Sequence, residues 1–125
     1  MIRSRILGTG SYLPQRVVSN QELGAAFQID PDTILRLTGI HERRWAHAEQ
    51  ASSDLAAEAS HAALQAAGIQ SSALEAIVVS TTSPDMAFPS SACHLQRKLS
   101  CNGVPAFDVA ASCSGFLYDC PWPMP

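Results

Sequence analysis

The stretch DVAASCSGFLY, residues 108–118, places a cysteine where a strand is predicted to turn into a helix. Unpaired N–H groups and the dipole at a helix N-terminus favour an anion, and therefore the thiolate form of Cys113. The small residues 110–112, Ser114 and Gly115 permit a tight turn and the close approach of a substrate carbonyl. Backbone N–H groups at the turn are placed to donate to an oxyanion. The pattern indicates a nucleophilic cysteine, although the same pattern also surrounds cysteines without a catalytic role.

The sequence offers no clear base for this cysteine. His61 and His94 fall in predicted helices, and His41 and His47 lie in the charged segment HERRWAHAE, which is predicted to be a surface loop or hairpin. No paired carboxylates or H-E-x-x-H motif is present, and GTGSYLP lacks the spacing and the lysine of a phosphate loop. We therefore expect any base for Cys113 to come from chain beyond this sequence.

The spacing of the four cysteines matches neither a zinc-binding motif nor the pattern of a disulfide framework. Cys93, Cys101, Cys113 and Cys120 form no C-x-x-C pair, and no histidine follows them at zinc-finger spacing. We expect reduced thiols, with Cys93 and Cys101 as small structural residues. No metal and no cofactor is expected.

The composition is that of a globular protein with one core. Of 125 residues, 46% are hydrophobic and 15% charged, and the net charge is −3, which excludes a basic surface for nucleic acid or anionic lipid. No apolar run approaches the roughly 18 residues of a membrane span, and the N-terminus has no apolar export signal. We therefore expect a cytoplasmic protein.

The order of predicted elements is β-α-α-α-β-α-β-α. A strand is predicted in residues 2–10 and a loop in 11–19, followed by short helices capped by Asn20 and Asp30. The later elements are a helix over 53–67, a buried strand in EAIVVSTT, a helix over 90–99, a strand in VPAFDVA and a helix from SCSGFLY. This order is typical of α/β proteins with parallel strands and crossover helices. Functional groups are then expected beyond the carboxyl ends of the strands, in the segments after Ser80 and around Cys113.

The sequence changes character after Tyr118. Residues 119–125 read DCPWPMP, in which three prolines would each break a helix. We expect residues 1–118 to form one half-domain and 119–125 to be a foreign, proline-rich tail of the kind that a reading-frame shift produces.

Several segments together resemble the N-terminal part of 3-oxoacyl-(acyl carrier protein) synthase III, in the thiolase-like superfamily. They are ILGTGSYLP, LTGIHERR, AIVVSTTSPDMAFPSSACHLQRKL and PAFDVAASCSGFLY. The resemblance runs from Ile6 to Tyr118 and implies the N-terminal half of a thiolase-like fold, an α/β fold with a parallel-rich sheet.

The resemblance also implies roles for three residues. Cys113 would accept the acyl group from an acyl-coenzyme A thioester, and Phe88 would line the acyl pocket of the partner in a homodimer. Thr38 would lie beside the entrance to the coenzyme A tunnel. The acyl-cysteine would then react with malonyl-acyl carrier protein after decarboxylation, starting fatty-acid synthesis. The histidine and asparagine that assist decarboxylation would lie beyond Pro125, so the chain alone is expected to be inactive.

One departure from the family pattern leaves the acyl donor open. Thr33 and Leu37 stand where family members commonly have the tryptophan and arginine that clamp the adenine of coenzyme A. Another enzyme of the thiolase-like superfamily is therefore an alternative, either a degradative thiolase or a condensing enzyme of alkylquinolone or polyketide type. A non-catalytic fragment that only binds a full-length subunit is a further alternative. A cysteine-dependent α/β-hydrolase is disfavoured, because Ala111 stands where that fold requires glycine.

Overall fold

The computed structural model describes residues 5–120, which form two compact units. The smaller unit is Leu13–Gln50, and the larger combines residues 5–12 with 51–120. The smaller unit contains strand β1 (Arg16–Ser19), helix α1 (Asn20–Phe27), helix α2 (Pro31–Thr38) and strand β2 (Glu42–Trp45). The two strands pair antiparallel.

Local capping signals explain where the two short helices begin and end. Asp30 caps α2 by accepting from the Thr33 N–H at 2.8 Å, and Gly39 ends the helix at a positive φ of 67°, as predicted. For α1 the prediction was wrong by one residue. Ser19 is the N-cap, accepting from the Glu22 N–H at 3.2 Å, and Asn20 is the first helical residue.

Strand β1 lies in the stretch that was predicted to be a loop, and this prediction is wrong. Its partner β2 lies within HERRWAHAE, the segment predicted as a loop or hairpin. The Arg16 guanidinium lies 5.1 Å from the centre of the Trp45 ring and also pairs with Glu22 at 2.5 Å. Because the pairing joins residues more than twenty positions apart, nothing in the local sequence marks β1 as a strand.

The larger unit contains a parallel pair of strands with helices. Helix α3 (Ser52–Ala67) precedes strand β3 (Ile77–Ser80), helix α4 (Ser91–Lys98), strand β4 (Ala106–Val109) and helix α5 (Gly115–Asp119). The turns Ser71–Ala73 and Ser112–Ser114 are 3-10 helical. Strands β3 and β4 are parallel, with Ile77 opposite Ala106 and Ser80 opposite Val109, as the α/β prediction requires.

The core of this unit lies between α3, α4 and the strand pair. Its buried members are Ala57, Ile77, Ala92, Leu95, Leu99 and Cys101. A short polar α4 thus buries one apolar stripe against β3 and β4. The core fixes α4 against the strands, and this contact positions the loops described below.

The predicted N-terminal strand is not a strand in its described part, residues 5–10. This segment runs against α3 so closely that a Cβ at Gly8 would lie 2.5 Å from the Ala63 carbonyl oxygen and 2.6 Å from the Ala67 nitrogen. Glycine is therefore needed there for close packing on a helix. The start of the predicted strand lies outside the described residues.

The chain's end is described as far as Cys120. Helix α5 includes Asp119, so it runs one residue into the predicted tail, and residues 121–125 of that tail lie outside the described part. All four cysteines are free, with Cys101 buried and both Cys113 and Cys120 exposed.

Within residues 5–120, no helix has the length and apolar character to cross a bilayer. Over the same residues, no three His, Cys, Asp or Glu side chains converge as metal ligands.

Candidate active site

The carboxyl ends of β3 and β4 are joined to each other. The Thr81 N–H donates to the Val109 carbonyl oxygen at 3.1 Å, and the Ser80 hydroxyl reaches the same oxygen at 3.4 Å. The loop after β3, residues 81–90, is called here the Phe88 loop. The Phe88 loop and the turn that carries Cys113 therefore leave the same edge of the sheet, where α/β proteins place their sites.

Cys113 is exposed at the centre of the 3-10 turn Ser112–Ser114. The turn is closed by Ser114, whose N–H and hydroxyl both donate to the Ala111 carbonyl oxygen, at 3.1 and 2.7 Å. Ser112 has a positive φ of 47°, which is costly for a residue with a Cβ. Such strain is often found at functional turns, and here it immediately precedes the candidate nucleophile.

The α-helix begins at Gly115, two residues after Cys113, and has only five residues. Cys113 thus lies between strand and helix as predicted, but in a tight turn before the helix. The help that a helix N-terminus gives to a thiolate at this position stays a prediction.

Gly115 allows this turn to lie directly on the end of β3. A Cβ at residue 115 would overlap the Ser80 hydroxyl and lie 2.9 Å from the Ser80 Cβ. The close contact between Gly115 and Ser80 fixes the start of α5 against the sheet. Sequence reasoning identified Gly115 as a small residue but did not identify Ser80 as its neighbour.

Asp108, in β4, binds the N-terminus of α4. Its carboxylate accepts from the Ser91 N–H at 2.8 Å and from the Ala92 N–H at 2.7 Å. A carboxylate stabilises the first turn of a helix by satisfying its free N–H groups and its dipole. This contact joins the strand that leads to Cys113 to α4, and it was not predicted from the sequence.

Asp85 binds the N-terminus of α3 in the same manner. Its carboxylate accepts from the Ser53 N–H at 2.9 Å and from the Ser53 hydroxyl at 2.5 Å. Burial raises the pKa of Asp85, but hydrogen bonds from Ser53 and Ser91 outweigh it and hold the pKa below its usual value. Lys98 donates to the Ser53 hydroxyl at 2.7 Å and pairs with Asp54.

Phe88 projects from the loop between Asp85 and Ser90, and 88% of it is exposed. The base of the Phe88 loop borders a groove of about 290 Å³. Its lining includes Thr81, Met86, Asp108 and Ala110. Neither Phe88 nor Cys113 lines this groove, although both leave the same edge of the sheet.

Thr38 lies in the smaller unit as the last residue of α2. Its hydroxyl donates to the Ile34 carbonyl oxygen at 2.7 Å and accepts from the Ile40 N–H at 3.1 Å. Both hydrogen bonds close the end of the helix, so the geometry gives Thr38 a local structural role whether or not it contacts a ligand.

The two residues that depart from the family pattern lie on the same helix, α2. Thr33 is held by Asp30, whose pKa is lowered by the Thr33 N–H and then by the Thr33 hydroxyl. Leu37 is 71% exposed. Neither side chain offers the stacking ring or the cation that the usual coenzyme A clamp provides.

The comparisons with known proteins agree with this fold. The chain is 50% identical over 94% of its length to an acetoacetyl CoA synthase, NphT7, of Streptomyces sp. (strain CL190), covering 36% of that protein. It is 50% identical over 92% of its length to the beta-ketoacyl-[acyl-carrier-protein] synthase III of Laribacter hongkongensis, again covering 36%. The crystal structure of 3-oxoacyl-[acyl-carrier-protein] synthase III from Aquifex aeolicus superposes with a TM-score of 0.82 at 41% identity, over 90% of this chain and 36% of that one.

These similarities place the fold in the thiolase-like class, and the α/β prediction is confirmed. Within that class, the predicted resemblance to beta-ketoacyl-acyl carrier protein synthase III is also confirmed. The chain spans about 36% of the length of the curated relatives named above and fits their N-terminal part. No family model matches the chain.

Proposed function

We propose that Cys113 is the acyl-accepting nucleophile of a condensing enzyme whose N-terminal part corresponds to this chain. The thiolate would attack the carbonyl carbon of an acyl-coenzyme A thioester and form an acyl-cysteine. The carbon–sulfur bond to coenzyme A would break. Coenzyme A would leave as its thiol, after taking up the proton that the Cys113 thiol had lost. Malonyl-acyl carrier protein would then lose carbon dioxide, and its carbanion would attack the acyl-cysteine to form the new carbon–carbon bond and release the thiolate.

The observation that carries this proposal is the turn itself. An exposed cysteine follows Ser112, a strained residue, and the turn is held on the carboxyl end of β3 through Gly115. Fixed backbone around an accessible sulfur favours a nucleophile, because the geometry needed for attack is already present before substrate binds.

The experiment that tests this proposal compares two exposed cysteines in the same chain. The full 125-residue chain is incubated with acetyl-coenzyme A and, separately, with longer acyl-coenzyme A donors, and the adducts are located by peptide mass spectrometry. We expect a hydroxylamine-sensitive acyl group on Cys113. Cys120, which is also exposed, is the internal control.

Two variants complete the test. Cys113→Ser should abolish the thioester adduct, and Cys120→Ser should leave it unchanged. Equal acylation of Cys113 and Cys120 would contradict the proposal, since it would show only the reactivity of accessible thiols.

We further propose that the 125-residue chain alone does not complete the condensation. The resemblance implies that the histidine and asparagine that assist decarboxylation of the malonyl thioester lie beyond Pro125, so this chain would lack both groups. Release of carbon dioxide from malonyl-acyl carrier protein by the purified chain, with formation of a 3-oxoacyl product, would overturn this expectation. The resemblance alone carries the expectation of a homodimer and of a cytoplasmic location.

A second candidate activity uses the same nucleophile with a different acceptor. One relative at 50% identity is named an acetoacetyl CoA synthase. A product attached to coenzyme A is therefore an alternative to a product attached to acyl carrier protein. Thr33 and Leu37 favour a donor or acceptor that is held differently from the usual coenzyme A primer. Supplying malonyl-coenzyme A and malonyl-acyl carrier protein separately to a chain extended to the relatives' full length would separate the two activities by the product formed.

A further inference from the structure

The Phe88 loop is fastened to the N-termini of two helices. On the α3 side, the Ser52 hydroxyl donates to the Ser83 carbonyl oxygen at 2.6 Å, and Ser53 donates twice to the Asp85 carboxylate. On the α4 side, the Asp85 N–H donates to the Ser91 hydroxyl at 3.0 Å. Asp85 is therefore the residue of the loop that contacts both helices.

The partners of Asp85 are rigidly placed. Ser53 and Ser91 are both completely buried, at 0% exposure. Lys98 also donates to the Ser53 hydroxyl, so this hydroxyl accepts from Lys98 while it donates to Asp85. Asp85 itself is half-buried, and its carboxylate makes a charge-assisted hydrogen bond to the buried Ser53, which is stronger than a hydrogen bond between neutral groups. The contact is therefore well suited to hold a loop in one position.

The hydrogen bonds of Asp85 with Ser53 and Ser91 are called the Asp85 clamp. Ser91 connects this clamp to the strand that leads to Cys113. Its hydroxyl accepts from the Phe88 loop, while its N–H donates to Asp108 in β4. One buried residue thus contacts both the loop with Phe88 and the strand that ends four residues before Cys113. Displacement of the loop at Asp85 would therefore disturb Ser91 in the first turn of α4, the turn that binds Asp108 of β4.

Phe88 is the exposed part of an otherwise fastened loop. It lies three residues after Asp85 and two before Ser90, the residue that caps α4 by accepting from the Cys93 N–H at 3.3 Å. An aromatic ring on a fixed base loses little conformational entropy when it meets a partner surface. A fixed loop therefore holds the exposed Phe88 ring in one position before a partner binds.

We propose that Asp85 is a positioning residue that, through its ionised carboxylate on Ser53, fixes the placement of Phe88. The role of Phe88 in an acyl pocket rests on the function proposed above. The effect of Asp85 on Phe88 does not, and it is measurable without substrate.

The test uses fluorine NMR of the full chain grown with 4-fluorophenylalanine. The chain has four phenylalanines, so four signals are expected, and Phe88→Leu assigns the one of interest. In Asp85→Asn, which keeps the shape and removes the charge, the Phe88 signal should shift and sharpen as the loop gains motion. The signal of Phe27, in the smaller unit, should not change.

A second variant and a matched control separate this role from general destabilisation. Ser53→Ala removes the hydroxyl partner and should shift the Phe88 signal in the same direction, with little added effect in the double variant. Glu58→Gln makes the same carboxylate-to-amide change at an exposed site on α3 and should leave all four signals in place. Asp85→Glu, which keeps the charge, should restore part of the wild-type spectrum.

Amide hydrogen exchange measures how much the Phe88 loop loosens when the Asp85 carboxylate is removed. Loss of a charge-assisted hydrogen bond should speed exchange of the loop amides in Asp85→Asn by about tenfold or more, without the same change in the second half of α3. An unchanged Phe88 signal in Asp85→Asn would overturn the proposal. So would an equal change at all four phenylalanines, because that would indicate loss of the fold.

The outcome is separable from that of the proposed function. A fluorine response without acylation of Cys113 in the wild-type chain would reject the acyl-transfer proposal and retain the clamp. Acylation of Cys113 with no fluorine response in Asp85→Asn would reject the clamp alone.

Discussion

Gly115 lies directly against Ser80, so the first residue of α5 has no room for a side chain. A methyl group at residue 115 would overlap the Ser80 hydroxyl and approach the Ser80 Cβ to 2.9 Å. The contact joins the end of β3 to the turn that carries Cys113. The close placement of this turn on β3 therefore requires a residue without a Cβ at position 115.

Gly115→Ala should therefore destabilise the chain. In a helix free of such contacts, alanine in place of glycine stabilises by up to about 1 kcal/mol. Here the overlap should reverse the sign and cost about 1–3 kcal/mol, as overpacking of a tight site does. Chemical denaturation monitored by circular dichroism would measure the change.

The double variant Ser80→Ala with Gly115→Ala supplies the control for this prediction. Removing the Ser80 hydroxyl relieves the nearest overlap, so part of the lost stability should return. Additive losses in the double variant would mean that the two residues do not meet.

Asn20 is expected to hold the smaller unit together. It is buried, its amide donates to the Ile40 carbonyl oxygen at 2.8 Å, and its oxygen accepts from Arg43 at 2.7 Å. Asn20→Ala leaves both partners without this contact and should cost about 1–3 kcal/mol. Amide exchange over residues 13–50 would measure the loss directly.

Gln21→Ala is the matched control for Asn20, since Gln21 is the next residue of α1 and is exposed. It should change stability by less than about 0.5 kcal/mol. Similar losses in both variants would show that helix content, and not the two hydrogen bonds, explains the effect.

The extent to which sequence predicts this structure depends on how far apart the interacting residues are. The ends of α2 were predicted correctly, because Asp30, Pro31 and Gly39 act within one turn of the helix. The strand pair β3 and β4 was also predicted, since each strand is a short β-branched or apolar run. Strand β1 was missed because its partner lies beyond the two intervening helices.

The candidate site shows the same division. The position of Cys113 between a strand and a helix was predicted from a local pattern of strand, small residues and helix, while its role as the nucleophile stays a prediction. The positive φ of Ser112 and the contacts of Asp85 with Ser53 and of Asp108 with α4 were not, because each depends on the folded backbone or joins residues more than fifteen positions apart. Aspartate in a polar loop is so common that neither Asp85 nor Asp108 carries a sequence signal of its own.

Acid should weaken the attachment of α3 to its neighbours. The Lys98 hydrogen bond, and then the Ala51 N–H, hold the pKa of Asp54 below the usual value of 3.8 for an aspartate, and the pKa of Asp85 is also lowered. Carboxylates with a lower pKa in the folded state add stability above the unfolded pKa, and that stability is lost as the pH falls through the folded value. The midpoint of thermal unfolding should therefore fall as the pH drops from about 5 to below 3.8.

Asp54→Asn should flatten this acid dependence and also lower stability at neutral pH. The Asp54 side chain is 39% exposed, so the change at neutral pH should be modest. Glu58→Gln, on the exposed face of the same helix, should keep the wild-type pH profile. If the unfolding midpoint of Asp54→Asn fell with acid as much as that of the wild type, Asp54 would not be the cause of the loss of stability. Asp85 would then be the carboxylate to test.

Phe88→Ala is expected to separate stability from association. Phe88 is 88% exposed, so it adds little to the packing of its own chain, and its removal should change the free energy of unfolding by less than about 0.5 kcal/mol. If the ring lines a partner's pocket, as the resemblance implies, burial of each Phe88 contributes about 2 kcal/mol to association. Sedimentation equilibrium would then show weaker dimerisation in Phe88→Ala, measured in a chain extended to the relatives' full length.

Leu37→Ala is the control for Phe88, because Leu37 is a similarly exposed apolar residue, at 71%, in the smaller unit. It should leave both unfolding and association unchanged. A stability loss above about 1 kcal/mol in Phe88→Ala would show that the ring packs within its own chain. Unchanged association in the extended chain would remove Phe88 from the dimer interface, and the clamp at Asp85 would then position a loop with some other contact.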